Sequence, residues 1–178
     1  MAAIAGSALL LGISSALQTT DDTLRQTIAQ GMAQQLLDEI LGCRYMEPGA
    51  NPYAPYLGPE SGESATNRYT FDDIDDYNGL RCQPPTDPFG VPLGTDDGAG
   101  GQRPEAFWCR ADFFNNWRAE VNVYYVSEAN PVNPLPSGQT SDYRLVEVRI
   151  VYVAATRGPR ELVKLRQVVC YVPPLQVQ

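Results

Sequence analysis

MAAIAGSALLLGISSALQTTDDTLRQTIAQGMAQQLLDEILG, residues 1–42, is the stretch on which the fold turns. Leu10, Ile13, Leu17, Leu24, Ile28, Met32, Leu36 and Ile40 keep one helical phase through it, broken only around Thr20 and Asp21. Gly42 stands where a helix C-cap belongs. The first charged residue is Asp21, and the strongly apolar part is confined to residues 2–13. As a helix those residues rise about 18 Å, whereas a bilayer core needs roughly 30 Å. A cleavable signal peptide ending at Ser14-Ser15-Ala16 is one reading, but no Lys or Arg precedes the apolar run. A cut after Ala16 would also divide the periodic stripe. The periodicity favours one helix over residues 1–41, about 60 Å long.

Two halves with different needs follow from that helix. Residues 1–20 are apolar all round and suit lipid or other helices; residues 21–41 are amphipathic and suit a domain packed on one face. Asp21, Asp22, Arg25, Gln34, Asp38 and Glu39 are expected to face water. Gly6, Gly12 and Gly31 each weaken the helix by about 1 kcal/mol relative to alanine, and read as points of close helix packing.

Beyond Gly42 the texture changes. Pro48, Pro52, Pro55 and Pro59 forbid regular helix over residues 46–60 and favour an extended loop. Residues 60–105 hold ten acids against Arg68, Arg81 and Arg103, so most of the net charge sits in one loop-rich region. Residues 119–126 then alternate through Val121, Val123 and Tyr125 as a strand. A Pro-rich loop is expected at 130–138, and two longer strands at 143–154 and 161–172, joined by a hairpin at Thr156-Arg157-Gly158-Pro159-Arg160. The fold class is therefore α+β: an antiparallel meander packed on the amphipathic half of the helix, with long loops between. Residues 1–41 form the helix and 42–178 the globular part, with neither an internal repeat nor a second domain.

Composition narrows the function. The chain has 178 residues, about one domain, with 43% apolar and 19% charged residues, enough to bury a core. Thirteen Lys and Arg against 21 Asp and Glu give a net charge of −8, the opposite of what phosphate binding requires. Histidine is absent, which removes Ser-His-Asp and Cys-His catalysis and any histidine-containing zinc site. Cys43, Cys82, Cys109 and Cys170 contain no CxxC spacing, so zinc and redox readings are weak. In an exported chain an even count suits two disulfides; of the three possible connectivities, Cys82–Cys109 would close the acidic segment and Cys43–Cys170 would tie the helix end to the last strand.

Phe71-Asp72-Asp73-Ile74-Asp75-Asp76-Tyr77-Asn78-Gly79 is the most distinctive segment. Its carboxylates could form an oxygen-rich calcium site, with Asp73, Asp75 and Asp76 as ligands. It is not an EF-hand loop, because Ile74 occupies a ligand position and no glutamate closes the loop at the right distance. Because ligand count alone does not define a site, the expectation is a solvated acidic loop ending in an Asn-Gly turn, with no resident cofactor. Asp96-Asp97-Gly98 could add ligands, but nothing in the sequence brings it near. A glycosidase needs only two acids at the right separation, a criterion that 21 acids satisfy too easily to be informative. Phe107, Trp108, Phe113, Phe114 and Trp117 read as loop-to-sheet packing rather than as a binding platform.

A helix apolar then amphipathic, followed by a loop-rich region and a C-terminal antiparallel sheet, resembles the type IV pilins and type II secretion pseudopilins. The acidic segment over residues 71–79 looks like that of minor pilins of the mannose-sensitive haemagglutinin type. This resemblance implies a non-enzymatic structural subunit, held in a bacterial inner membrane with its globular part in the periplasm. It would later join an extracellular filament through contacts with other subunits. Ile4, Leu10, Ile13 and Leu17 would form the assembly face, with Ala5, Gly6, Ala8 and Gly12 permitting close approach. The family begins with a basic leader, a cleavage site after Gly and a glutamate soon after; Met1–Gly6 instead reads as the middle of the apolar helix, and the expected true start lies upstream. The rival expectations are a secreted or membrane-tethered module binding calcium or a glycan through residues 60–117, and a carboxylate hydrolase.

Overall fold

The computed structural model describes residues 2–63, 67–110, 112–154 and 158–173, with the side chains of the N-terminal helix described from Ser14 onward. Among the described residues, one α-helix, α1 (Ala2–Leu41), precedes five strands: β1 (Arg81–Cys82), β2 (Trp117–Ser127), β3 (Asn130–Pro134), β4 (Tyr143–Tyr152) and β5 (Arg160–Cys170). At 1.5 Å per residue α1 is about 60 Å long. The polar stretch that interrupts its apolar stripe stays helical because its side chains bond within the helix. Thr19, Thr20, Thr23 and Thr27 donate their hydroxyls to the carbonyls of Ser15, Ala16, Thr19 and Thr23, four residues back. Asp21 and Arg25 add an ion pair at 2.8 Å at the same spacing. The helix ends where the Gly42 N–H is shared between the carbonyls of Asp38 and Glu39, at 3.1 and 3.2 Å.

Among the residues of α1 whose side chains are described, those of its second half meet the rest of the chain. Ala29, Ala33, Leu36, Leu37 and Ile40 are buried, and Ile28 and Met32 pack beside them. Residues 14–24 are all exposed, Leu17 at 66% and Leu24 at 52%. Among the described side chains, the apolar stripe is thus uncovered at Leu17 and Leu24 and covered from Ile28 onward. Ile4, Leu10 and Ile13, the other members of the expected assembly face, have side chains outside the described set. Among the described residues, no helix is long and apolar enough to cross a membrane.

All sheet pairings are antiparallel, in the order β1-β2-β4-β5, with β3 attached to the end of β2. The three long strands form the expected meander, and α1 crosses β4 and β5. Alternation decides the two faces. Trp117, Ala119, Val121 and Val123 of β2 stand opposite Tyr152, Ile150, Val148 and Val146 of β4, and these residues pack against the helix as the core. On the other face, Glu120 and Glu147 are buried beneath arginines. Glu120 bonds Arg81, Arg118 and Arg149 at 2.6–3.0 Å, and Glu147 bonds Arg166 at 2.6 Å. Those long side chains roof the carboxylates with their own stems.

Differences from expectation are local. Residues 130–134 form a short exposed strand inside what reads as a Pro-rich loop; the register slips between Val126 and Ser127, and edge pairing tolerates Pro131 and Pro134. β1 is only two residues long and has no periodicity of its own; it forms because the preceding turn delivers Arg81 and Cys82 to the free edge of β2. Thr156 and Arg157 of the expected hairpin lie outside the described residues. Gly31 is not a packing point, since a Cβ there would meet nothing within 4 Å. Arg25 and Glu39 are not simply solvated either: Arg25 stacks 5.0 Å from the ring centre of Tyr152, and Glu39 pairs with Arg68 at 2.8 Å.

The four cysteines are free thiols, so neither expected bridge is formed. The fold gives each a separate environment. Cys82 is buried in β1 opposite Ala119, while Cys109 lines a shallow cleft with Pro84 and Pro92. The Cys43 sulfur sits 3.5 Å from the Glu39 carbonyl oxygen and 3.8 Å from the Tyr77 hydroxyl, whereas Cys170 ends β5 in solvent. Burial pushes the Cys43 thiol pKa above its ordinary value.

Candidate functional site

Phe71, Ile74, Tyr77 and Leu80 recur every third residue, and all four are buried in the core. They drag the intervening acids inward with them. Asp73, Asp75 and Asp76 are buried, Asp73 and Asp76 to only 1% exposure. The solvated loop expected from the acid count is therefore wrong: apolar anchors at that spacing make the segment a turn wedged into the body, with residues 75–77 as a short 3-10 helix.

Each buried acid has a different set of partners. Asp75 Oδ1 accepts from Arg144 at 2.7 Å, and that guanidinium, 4.2 Å from the Tyr45 ring centre, also donates to the Tyr45 carbonyl and the Tyr125 hydroxyl. Asp76 Oδ2 accepts the backbone N–H groups of Asp72 and Asp73 at 2.9 and 3.1 Å. Asp73 Oδ1 accepts the Asp75 N–H at 2.8 Å. Among the described residues, Asp76 Oδ1 has no hydrogen-bond partner although it is buried, an arrangement that normally carries a cost in free energy.

The turn is stitched to every neighbouring element. Ile74 N–H donates to the Arg44 carbonyl at 3.0 Å, just past the end of α1. Tyr77 donates its hydroxyl to Glu39 at 3.1 Å, and burial followed by the Glu39 charge pushes its pKa well up. Asn78 donates to the Leu57 carbonyl and accepts the Val123 N–H, both at 2.9 Å. Gly79, at φ +84°, turns the chain so that its N–H reaches the Val121 carbonyl at 3.1 Å. The Asn-Gly pair is thus a junction between loop and sheet, not a surface hairpin.

Two glutamates that the sequence reading did not single out complete the cluster. Carboxylate oxygens of Glu60, Glu63 and Asp76 lie within 4.8 Å of one another, as do those of Glu60, Asp73 and Asp75. Glu63 Oε2 accepts the Glu60 N–H at 3.0 Å, which folds the short 60–63 loop over the turn. Burial, then the neighbouring acids, push the Glu60 carboxyl up to about 8; burial, then Asp75, push Asp73 up to about 7. Glu63 is raised by burial and by Asp76. So many carboxylates in one corner require protons or a cation to share the space.

Other sequence candidates fall elsewhere. Asp96 and Asp97 cap their own loop, accepting from Gly98, Ala99 and Gly101 at 2.5–2.9 Å, and those bonds hold Asp97 below the ordinary carboxylate range. Phe113 and Phe114 pack with ring centres 5.5 and 5.4 Å from that of the buried Trp117, Phe114 edge-on, as expected, but Phe107 and Trp108 are exposed. A cleft of about 500 Å³ runs between Met32 and Leu36 of α1 and Leu93 and Phe107 of the loops. Its charged groups are already satisfied: Arg68 holds Glu39, and Arg103 holds Asp87 at 2.7 Å.

No protein-family model matches the chain, and neither curated proteins nor solved structures show significant similarity to it.

Proposed function

We propose that this chain is a non-enzymatic filament subunit, a minor pilin or pseudopilin-like component of a type IV pilus or a type II secretion filament. The observation that carries this reading is the division of α1. Its second half is fused to an antiparallel sheet through Ala29, Ala33, Leu36 and Ile40, while residues 14–24 project into solvent with Leu17 and Leu24 uncovered. A helix of marginal intrinsic stability is not extended far beyond its domain without a partner for the projecting part. An apolar rod attached to a globular head suits subunits that pack rod to rod and display their heads outward. Close packing between small residues then supplies the attraction between neighbours, in lipid before assembly and in the filament core afterwards. Inner membrane, periplasmic head and other pilin subunits as partners all belong to this reading.

The test is the N terminus of the protein isolated from its native cells, determined by mass spectrometry. A mature end upstream of Met1, N-methylated and followed within a few residues by glutamate, is the expected result. A chain beginning at Met1 or at Leu17 would overturn the reading, the latter in favour of a secreted module.

A further inference from the structure

We propose that Glu60, Glu63, Asp73 and Asp76 bind one calcium ion between the 60–63 loop and the buried turn. Three observations converge on it. The carboxylate oxygens of Glu60, Glu63 and Asp76 lie within 4.8 Å of one another, and Glu60 stands equally near Asp73 and Asp75. Two oxygens on opposite sides of a calcium ion, each at about 2.4 Å, are about 4.8 Å apart, so each of these two groups, which share Glu60, is already gathered to the size of a coordination sphere. Secondly, Asp76 is 1% exposed and its Oδ1 has no partner among the described residues. Its Oδ2 is fixed by the N–H groups of Asp72 and Asp73, which hold the carboxylate, and with it the unpartnered oxygen, in place beside Glu60 and Glu63.

Thirdly, the local cations are spoken for. Among the described residues, the ion pairs of the acidic turn are Arg44 with Asp72 at 3.4 Å and Arg144 with Asp75 at 2.7 Å. Neither reaches Glu60, Glu63, Asp73 or Asp76, which leaves these carboxyl groups without a protein counter-ion among the described residues. Asp75 is therefore the outer support of the site: its Oδ1 belongs to Arg144, and its N–H orients Asp73.

The ligand chemistry selects the metal. Every donor is a carboxylate oxygen, drawn from an exposed loop and a buried turn; thiolate and imidazole are missing from the cluster, which disfavours zinc and copper. Calcium accepts six to eight oxygens in irregular geometry, whereas magnesium demands a tight octahedron and keeps its waters. Bound there, the ion would tie the 60–63 loop to the segment that contacts the end of α1, and so stiffen the loop-rich side of the head. This inference concerns the head alone and stands or falls independently of the filament reading.

Titration calorimetry and thermal melting of the whole chain, stripped with EDTA and then given calcium chloride, test it. One saturable site is expected, with a melting temperature raised by about 5 °C or more at saturating calcium. Magnesium chloride at equal concentration should shift it less. The double variant Glu60→Gln/Glu63→Gln removes two crowded carboxyls from the outer loop, so it should melt in EDTA no lower than the parent and bind calcium at least about tenfold more weakly. Asp76→Asn should also lose the response, and if that variant fails to fold, the loop variant still decides. No saturable uptake up to about 5 mM calcium, or an undiminished response in the loop variant, would overturn the proposal.

Discussion

Arg144 concentrates the residue-scale chemistry of this fold. It is 1% exposed, bonded to Asp75, to the Tyr45 carbonyl and to the Tyr125 hydroxyl, and it lies over the Tyr45 ring. Removing the guanidinium strands a buried carboxylate, so Arg144→Met should cost about 3–5 kcal/mol in urea unfolding. The double variant Arg144→Met/Asp75→Asn should recover part of that loss, because the orphaned charge is gone; equal losses would mean that Arg144 acts through packing alone. A residue with the opposite expectation is Gly31. It lies in mid-helix facing open space, so Gly31→Ala should stabilise the isolated chain by up to about 1 kcal/mol, read as a higher urea midpoint. Of these two sites, only the glycine's helical position was visible beforehand. Arg144 reads in sequence as one more polar residue at a strand start, and its partner Asp75 is 69 residues away.

At the scale of elements, the contact between α1 and the sheet depends on small side chains. Ala29 and Ala33 are completely buried and let the helix lie close to β4 and β5. Ala33→Leu should overfill that seam and cost about 1–3 kcal/mol, whereas Leu17→Ala, on the exposed half, should leave the melting temperature of the isolated protein unchanged. The helix and the three long strands were legible because periods of 3.6 and 2 are local properties of the chain. The acidic turn was not. Its anchors Phe71, Ile74, Tyr77 and Leu80 are spaced by three, a rhythm that belongs to neither regular element, and counting the aspartates between them suggested solvent. That every-third-residue pattern was the available signal. Glu60 and Glu63 offered a weaker one, since two acids on a Pro-rich loop carry no indication of what they will face.

For the molecule as a whole, charge and burial are distributed by face. The acids of residues 60–105 form the loop-rich side, while the sheet's outer face presents Arg81, Arg118, Arg149 and Arg166 above two buried glutamates. Among the described side chains, the head's connections to α1 begin at Asp22, which pairs with Arg160 at 3.2 Å, and at Gln26, which donates to the Leu162 carbonyl at 2.7 Å. A chain shortened to residues 17–178 should therefore keep its near-ultraviolet circular dichroism and melt within about 2 °C of the parent, since surface changes away from buried features are worth little. A large loss would mean that the first turns of α1 belong to the head. By itself the sequence determined the long helix, its division near Asp21, the antiparallel meander and the polarity of each face, because these follow from side-chain period and local backbone preference. The tertiary structure alone decided which half of the apolar stripe is covered, that the aspartates go inside, and that Glu60 and Glu63 meet Asp76. Those outcomes depend on surfaces brought together from distant parts of the chain, where burial of four apolar anchors outweighs the cost of drawing three carboxylates out of water.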